Sequence, residues 1–176
     1  EQYDTMMSVL PLCHSVERIV IFDRAVKRRE NDRLSVYFDE WETAEAPAGA
    51  AAEVEQRRAA ATLDDVADIL YTSGTTGVSK GVILTRGMYH AGIRANDAVL
   101  NLSEDDVILN FLPLTHVFER AWSYLCLCEG ARLAVNLRPT DVQRSLQEVH
   151  PTCMCSVPRF WEKVYIAVKA KMDEAG

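Results

Sequence analysis

Tyr71-Thr72-Ser73-Gly74-Thr75-Thr76-Gly77-Val78-Ser79-Lys80-Gly81 sets three glycines, a run of serine and threonine hydroxyls and one lysine between two apolar segments. Glycines let a backbone bend where a Cβ would clash and bring its N–H groups up to an anion. The hydroxyls of Ser73, Thr75, Thr76 and Ser79 add donors, and Lys80 adds a mobile positive charge. Ile69-Leu70-Tyr71 on one side and Gly81-Val82-Ile83-Leu84 on the other read as strands, so the segment is predicted to be a strand, a loop and a strand. An ordinary hairpin turn needs only about two to five residues and no lysine. The spacing also departs from Gly-x-x-x-x-Gly-Lys-[Ser/Thr], whose lysine opens a helix. A phosphate cradle on a β-hairpin is the reading that remains.

Two further segments carry chemistry. Leu112-Pro113-Leu114-Thr115-His116-Val117-Phe118-Glu119-Arg120 follows an apolar run from Val107 and leads into a helical pattern through Cys128. Strand, turn, helix is the expected order, with Thr115 as the N-cap and His116 in the first turn. Neighbouring helical residues do not face each other, so Glu119 and Arg120 are expected to find separate partners. Val157-Pro158-Arg159-Phe160-Trp161-Glu162-Lys163-Val164-Tyr165 then places Pro158 at a helix start. Its apolar spacing predicts a buried amphipathic helix.

The first segment resembles the phosphate-binding signature of the adenylate-forming (AMP-binding) enzymes, which include acyl-CoA synthetases. The other two are similar to segments of long-chain fatty-acid–CoA ligases, and all three come in that family's order. The resemblance implies that Thr72, Ser73, Gly74, Thr75, Thr76, Gly77 and Lys80 contact the phosphates of ATP, with the Thr76 hydroxyl near Mg²⁺. It implies catalytic roles for Lys80 and His116, the histidine lying where the acyl and CoA sites meet. A fatty acid would be activated as its acyl-adenylate and passed to the thiol of CoA. Ser79 stands where proline is common in the family, which removes a φ restraint and predicts a more mobile loop. Two alternatives stay open: another adenylate-forming enzyme acting on aryl or amino acids, and a non-catalytic module that binds nucleotide or acyl chains.

Composition sets limits around this. A formal charge of −7 and the lack of a basic cluster interleaved with aromatics argue against a nucleic-acid surface, so anion binding is local. Five cysteines, an odd number, fit a reducing compartment better than a disulfide framework. The Cys126/Cys128 and Cys153/Cys155 pairs have poor spacing for chelation, because alternate positions point apart. No apolar run approaches the roughly 20 residues that span a bilayer, and the first residues lack a signal-peptide layout. Cytoplasmic location is the default. A long-chain acyl substrate partitions into membranes, so peripheral membrane contact is compatible with it, and oligomeric state cannot be read.

The remaining segments supply scaffold. Glu1 to Leu12 is predicted to be a helix, Arg18 to Phe22 a buried strand and Leu34 to Phe38 a shorter one. Residues 43–61, rich in Ala, Glu and Arg, are expected to form a surface linker or a frayed helix. Thr85 caps a helix from Arg86 to Leu100; Leu133 to Val135 is a strand, Pro139 to Val149 a helix, and Thr152 to Val157 a short strand. Alternating strands and helices imply an α/β fold with a largely parallel sheet and helices on its faces. By the resemblance, residues 1–176 are an incomplete portion of the large N-terminal domain. Family segments for adenine, ribose and the C-terminal lysine find no match here, so the chain alone is expected to be inactive.

Overall fold

A computed structural model describes residues 1–74 and 77–175, which form two compact units, Glu1–Ala59 and Ala60–Gly176. In the first unit, α1 (Gln2–Val9) runs into a short 3₁₀ turn at Leu10–Leu12, where Pro11 interrupts the α-helical ladder. Strands β1 (Ile19–Ile21) and β2 (Ser35–Tyr37) pair in parallel, Val20 opposite Val36. The chain turns at once into α2 (Phe38–Glu42), so Phe38, expected to end a strand, starts a helix instead. The physical cause is local: Glu40 reaches back to accept from the Tyr37 N–H at 3.3 Å. Tyr3 donates to Asp32 at 2.6 Å, and the other Asp32 oxygen accepts from Leu34 and Ser35 N–H, tying α1 to the strand entry. The 43–61 stretch contains α3 (Ala50–Ala60), exposed along nearly its whole length.

The second unit opens with an antiparallel hairpin of β3 (Val66–Thr72) and β4 (Lys80–Thr85). Helix α4 (Arg86–Leu100) begins where the sequence indicated, the Thr85 hydroxyl accepting from Met88 N–H at 3.3 Å. It ends at Asn101 in the left-handed region, φ 48°, which asparagine tolerates better than most residues. Strand β5 (Val107–Asn110), helix α5 (Val117–Cys128) and strand β6 (Arg132–Val135) form a parallel crossover, with Ile108 opposite Leu133. After a 3₁₀ turn at Pro139–Asp141 come α6 (Val142–Val149) and α7 (Pro158–Ala175).

The expected strand at Thr152–Val157 reduces to one bridge, Cys153 beside Ile108. Its first residue explains why: the Thr152 hydroxyl takes the Val107 N–H at 2.9 Å, a donor that a continued ladder would use. The expectation for α7 also needs correction. The helix forms, yet Trp161, Tyr165 and Val168 are 47%, 68% and 53% exposed, and among the described residues only Phe160 finds an aromatic partner outside the helix, Phe111 at 5.1 Å. Two of three strand pairs are parallel, which agrees with the α/β reading. Among the described residues they stay as separate pairs.

The core of this unit gathers Leu102, Ile108, Trp122, Leu125, Cys126 and Ala131, with Ile93 and Leu133 against it. Ile108, fully buried, sits where β5, β6 and α5 meet. Ile108→Ala is expected to cost about 2–5 kcal/mol and Ile108→Val about 0.5–1.5 kcal/mol, measured by urea denaturation.

Candidate functional site

The hairpin register sets Thr72 opposite Lys80, so residues 73–79 form the loop and Lys80 is the first residue of a strand. No helix starts at the lysine, which excludes the P-loop geometry on this structure as it did on spacing. The loop closes tightly across its own base. Gly77, at φ +81°, donates its N–H to the Gly74 carbonyl at 3.0 Å. A Cβ on Gly74 would lie 2.3 Å from the Val78 carbonyl oxygen and 3.6 Å from Lys80 Cε. The lysine stem therefore lies against the loop, with the residue exposed overall. Thr75 and Thr76 lie outside the described residues, and with Thr76 the expected magnesium contact.

One residue further than expected, His116 rather than Thr115 caps α5, at φ −103° and ψ 138° and without a side-chain capping bond. Pro113 causes the shift. Its carbonyl accepts from His116 N–H at 3.1 Å, a turn that carries the chain past Thr115 before the helix begins. His116 thus stands just outside the first helical turn.

Glu119 and Arg120 do find separate partners. Glu119, 1% exposed, accepts from Phe111 N–H at 3.1 Å and from the Cys155 thiol at 3.3 Å. Burial pushes its carboxyl up, opposed by the Cys155 bond and by backbone donors from Leu112 and Phe111. The Cys155 thiol is raised as well, by burial first and then by the Glu119 charge, so it remains a donor. Ser123 continues the buried chain, donating to the Glu119 carbonyl at 2.8 Å while accepting from Asn110.

Arg120 points to the hairpin. It pairs with Asp68 of β3 and donates Nε–H to the Leu114 carbonyl at 3.0 Å. The second Asp68 oxygen accepts from the Tyr89 hydroxyl of α4 at 2.7 Å. Burial, then the Asp68 bond, raises the Tyr89 phenol, which keeps it protonated as a donor.

Between the hairpin and α5 lies a cleft of about 920 Å³ that gathers all three sequence segments. Thr72 and Ser73 line it from the first, Pro113 to Glu119, Leu114 excepted, from the second, and Val157 from the third. Leu70, Val82, Leu84 and Phe118 make an apolar wall beside the Ser73 hydroxyl and the His116 imidazole. Gly74 and Gly77 in the loop, and Lys80 at the start of β4, are not part of this lining. Such a site suits a ligand with a polar end and an apolar remainder.

The profile of the AMP-binding enzyme family matches residues 8–175. This chain belongs to that family. Among curated AMP-binding relatives, a probable CoA ligase (CCL6) of Humulus lupulus is 32% identical over 97% of this chain and 27% of its own length. The peroxisomal long chain acyl-CoA synthetase 7 of Arabidopsis thaliana is 34% identical over 64% of this chain and 16% of its own. The chain thus spans roughly a sixth to a quarter of these relatives. Among solved structures, O-succinylbenzoate CoA synthetase (MenE) of Bacillus subtilis, in complex with ATP and magnesium, aligns with TM-score 0.63 at 19% identity. That alignment covers 93% of this chain and 34% of the MenE chain, and it supports the AMP-binding fold.

Asp68, Tyr89 and Cys155 brace the elements around the cleft but carry no motif of their own. Their contacts to Arg120, Asp68 and Glu119 cross 52, 21 and 36 residues, so nothing in local spacing joins them. The one available signal was a charged residue, Asp68, inside an otherwise apolar strand pattern.

Proposed function

We propose that this chain is the phosphate-holding portion of an ATP-dependent long-chain fatty-acid–CoA ligase. A fatty acid carboxylate would attack the α-phosphate of ATP and pyrophosphate would leave; the CoA thiol, losing its proton, would then attack the carbonyl of the acyl-adenylate and release AMP. The observation that carries this is the single cleft where Thr72 and Ser73 of the hairpin meet His116 and the apolar wall. In this reading Thr72, Ser73, Gly74, Thr75, Thr76, Gly77 and Lys80 hold the β- and γ-phosphates, through N–H groups, hydroxyls and one ammonium. Thr76 is proposed as a hydroxyl near magnesium, whose bound charge would neutralise the polyphosphate. His116 orients the groups that meet at the far side of the cleft. Long-chain specificity is supported by the names of the Arabidopsis relatives. The whole protein is proposed to act in the cytoplasm.

Labelled pyrophosphate should exchange into ATP when the whole encoded protein receives a long-chain fatty acid, and the 176-residue chain alone should not support exchange. Exchange with aryl or amino acids but with no fatty acid would contradict the substrate class. No exchange with any carboxylic acid would remove the ligase reading.

The loop makes a sharper prediction. A methyl at Gly74 forces the Val78 carbonyl to move, because a contact of 2.3 Å is not tolerated. Gly74→Ala should weaken ATP affinity about tenfold, roughly 1.4 kcal/mol, while leaving the melting temperature nearly unchanged. Calorimetric titration with Mg·ATP beside thermal unfolding separates the two effects.

A further inference from the structure

We infer that Arg120 is a positioning residue, a two-pronged strut that holds the phosphate hairpin and the His116 turn at a set separation. The inference rests on the ligase reading above and names a role in it for a side chain that would touch no substrate.

The geometry is specific to a guanidinium. One nitrogen, Nε, donates to the Leu114 carbonyl at 3.0 Å, two residues before His116. Another, Nη1, pairs with Asp68, four residues before Thr72 on β3. Both ends are held. Leu114 lies in the turn that the Pro113 to His116 bond closes, and the free Asp68 oxygen is occupied by Tyr89 at 2.7 Å. Tyr89 is itself braced edge-on against Tyr124 of α5, ring centres 5.0 Å apart. The Asp68 and Arg120 side chains are 13% and 27% exposed, so the pair is shielded well beyond an ordinary surface salt bridge.

A planar fork fixes two acceptors at once in a set relation, and a lysine ammonium on its flexible stem does not reproduce that spacing. The strut therefore links the two halves of the cleft. β3 ends at Thr72 and leads into Ser73, and the turn before α5 carries His116, so a shift at Arg120 changes the distance between the phosphate end and the His116 end. Neither half loses its own ligand contacts. The consequence falls on alignment of bound reactants rather than on ATP affinity, and a misplacement of about 1 Å costs about a hundredfold in rate.

The test uses the whole protein and follows fatty-acid-dependent pyrophosphate exchange together with thermal unfolding. Arg120→Lys should lower kcat about 30–100-fold with KM for ATP changed less than about threefold, and Asp68→Ala should do the same. The double variant Asp68→Ala/Arg120→Ala should be no slower than the slower single variant, because both remove one strut. Should Arg120→Ala fail to fold, Arg120→Lys against Asp68→Ala keeps the comparison. A folded Arg120→Lys with wild-type kcat and only a lower melting temperature overturns the inference. So does a rise in KM for ATP at unchanged kcat, or losses that multiply in the double variant. Wild-type protein that exchanges no pyrophosphate overturns the ligase reading and this role together, whereas an active wild type with an unaffected Arg120→Lys overturns this role alone.

Discussion

Lys80→Ala in the whole protein is expected to lower kcat/KM for ATP by about a hundredfold or more, with unfolding unchanged. Lys80 begins β4 opposite Thr72, and its stem runs beside Gly74, so its ammonium is carried by the same hairpin that presents the loop amides. In the proposed reaction a triphosphate would gain a charge-assisted bond there, and the bond would strengthen as negative charge accumulates on the departing pyrophosphate. Removing a preorganised donor from such a place typically costs about 2.7–4 kcal/mol in the transition state. The exposed side chain makes no core contact, and surface substitutions usually change stability by less than about 0.5 kcal/mol. Lys80→Arg should keep part of the activity, since the charge survives while the point donor becomes a fork. Initial rates of pyrophosphate exchange at varied ATP decide the matter. A variant within about twofold of wild type would remove Lys80 from the phosphate site.

Glu119→Ala should be as damaging to stability as Ile108→Ala, costing about 2–5 kcal/mol. Its loss leaves the Phe111 N–H and the Cys155 thiol without their acceptor where Glu119 itself is 1% exposed, and it opens a hole on the buried face of α5. Glu119→Gln keeps a carbonyl for Phe111 and is expected to be far milder. Wild type and Glu119→Gln also differ in pH dependence. The folded carboxyl is raised above its ordinary 4.5, chiefly by burial, so the folded state binds that proton more tightly than the unfolded chain. Its contribution to stability is complete below the ordinary value and declines as pH rises through the raised one. Wild type should therefore lose stability across that interval, and Glu119→Gln should flatten the decline. Urea unfolding from acid to neutral pH provides the measurement, and an identical slope in both proteins would show that Glu119 does not titrate differently in the folded state.

The hairpin and α4 were legible because their determinants are contiguous. Glycines, hydroxyls and a β-branched run after Lys80 specify the strand-loop-strand, and Thr85 caps α4 with its own hydroxyl. The start of α5 was missed by one residue because Pro113 imposes a turn whose length propensity does not reveal. For α7, apolar periodicity gave the helix correctly but not its burial, since periodicity marks a face that seeks cover and the described residues cover only Phe160. The expected strand after Pro151 failed for a side-chain reason, the Thr152 hydroxyl replacing a ladder bond. In the site, Thr72, Ser73 and His116 could be named from motifs, and the structure brings them to one cleft. Asp68, Tyr89 and Cys155 could not be named, because each acts through a contact that only tertiary folding creates.

Crystallising the whole protein with magnesium and a non-hydrolysable ATP analogue tests most directly that the hairpin loop is the seat of the triphosphate. The β- and γ-phosphates should lie against the backbone N–H groups of residues 73–79 with the Lys80 ammonium bonded to them, and the reacting end should open toward His116. A triphosphate bound elsewhere, with the loop amides facing solvent and Lys80 out of reach, would contradict the account.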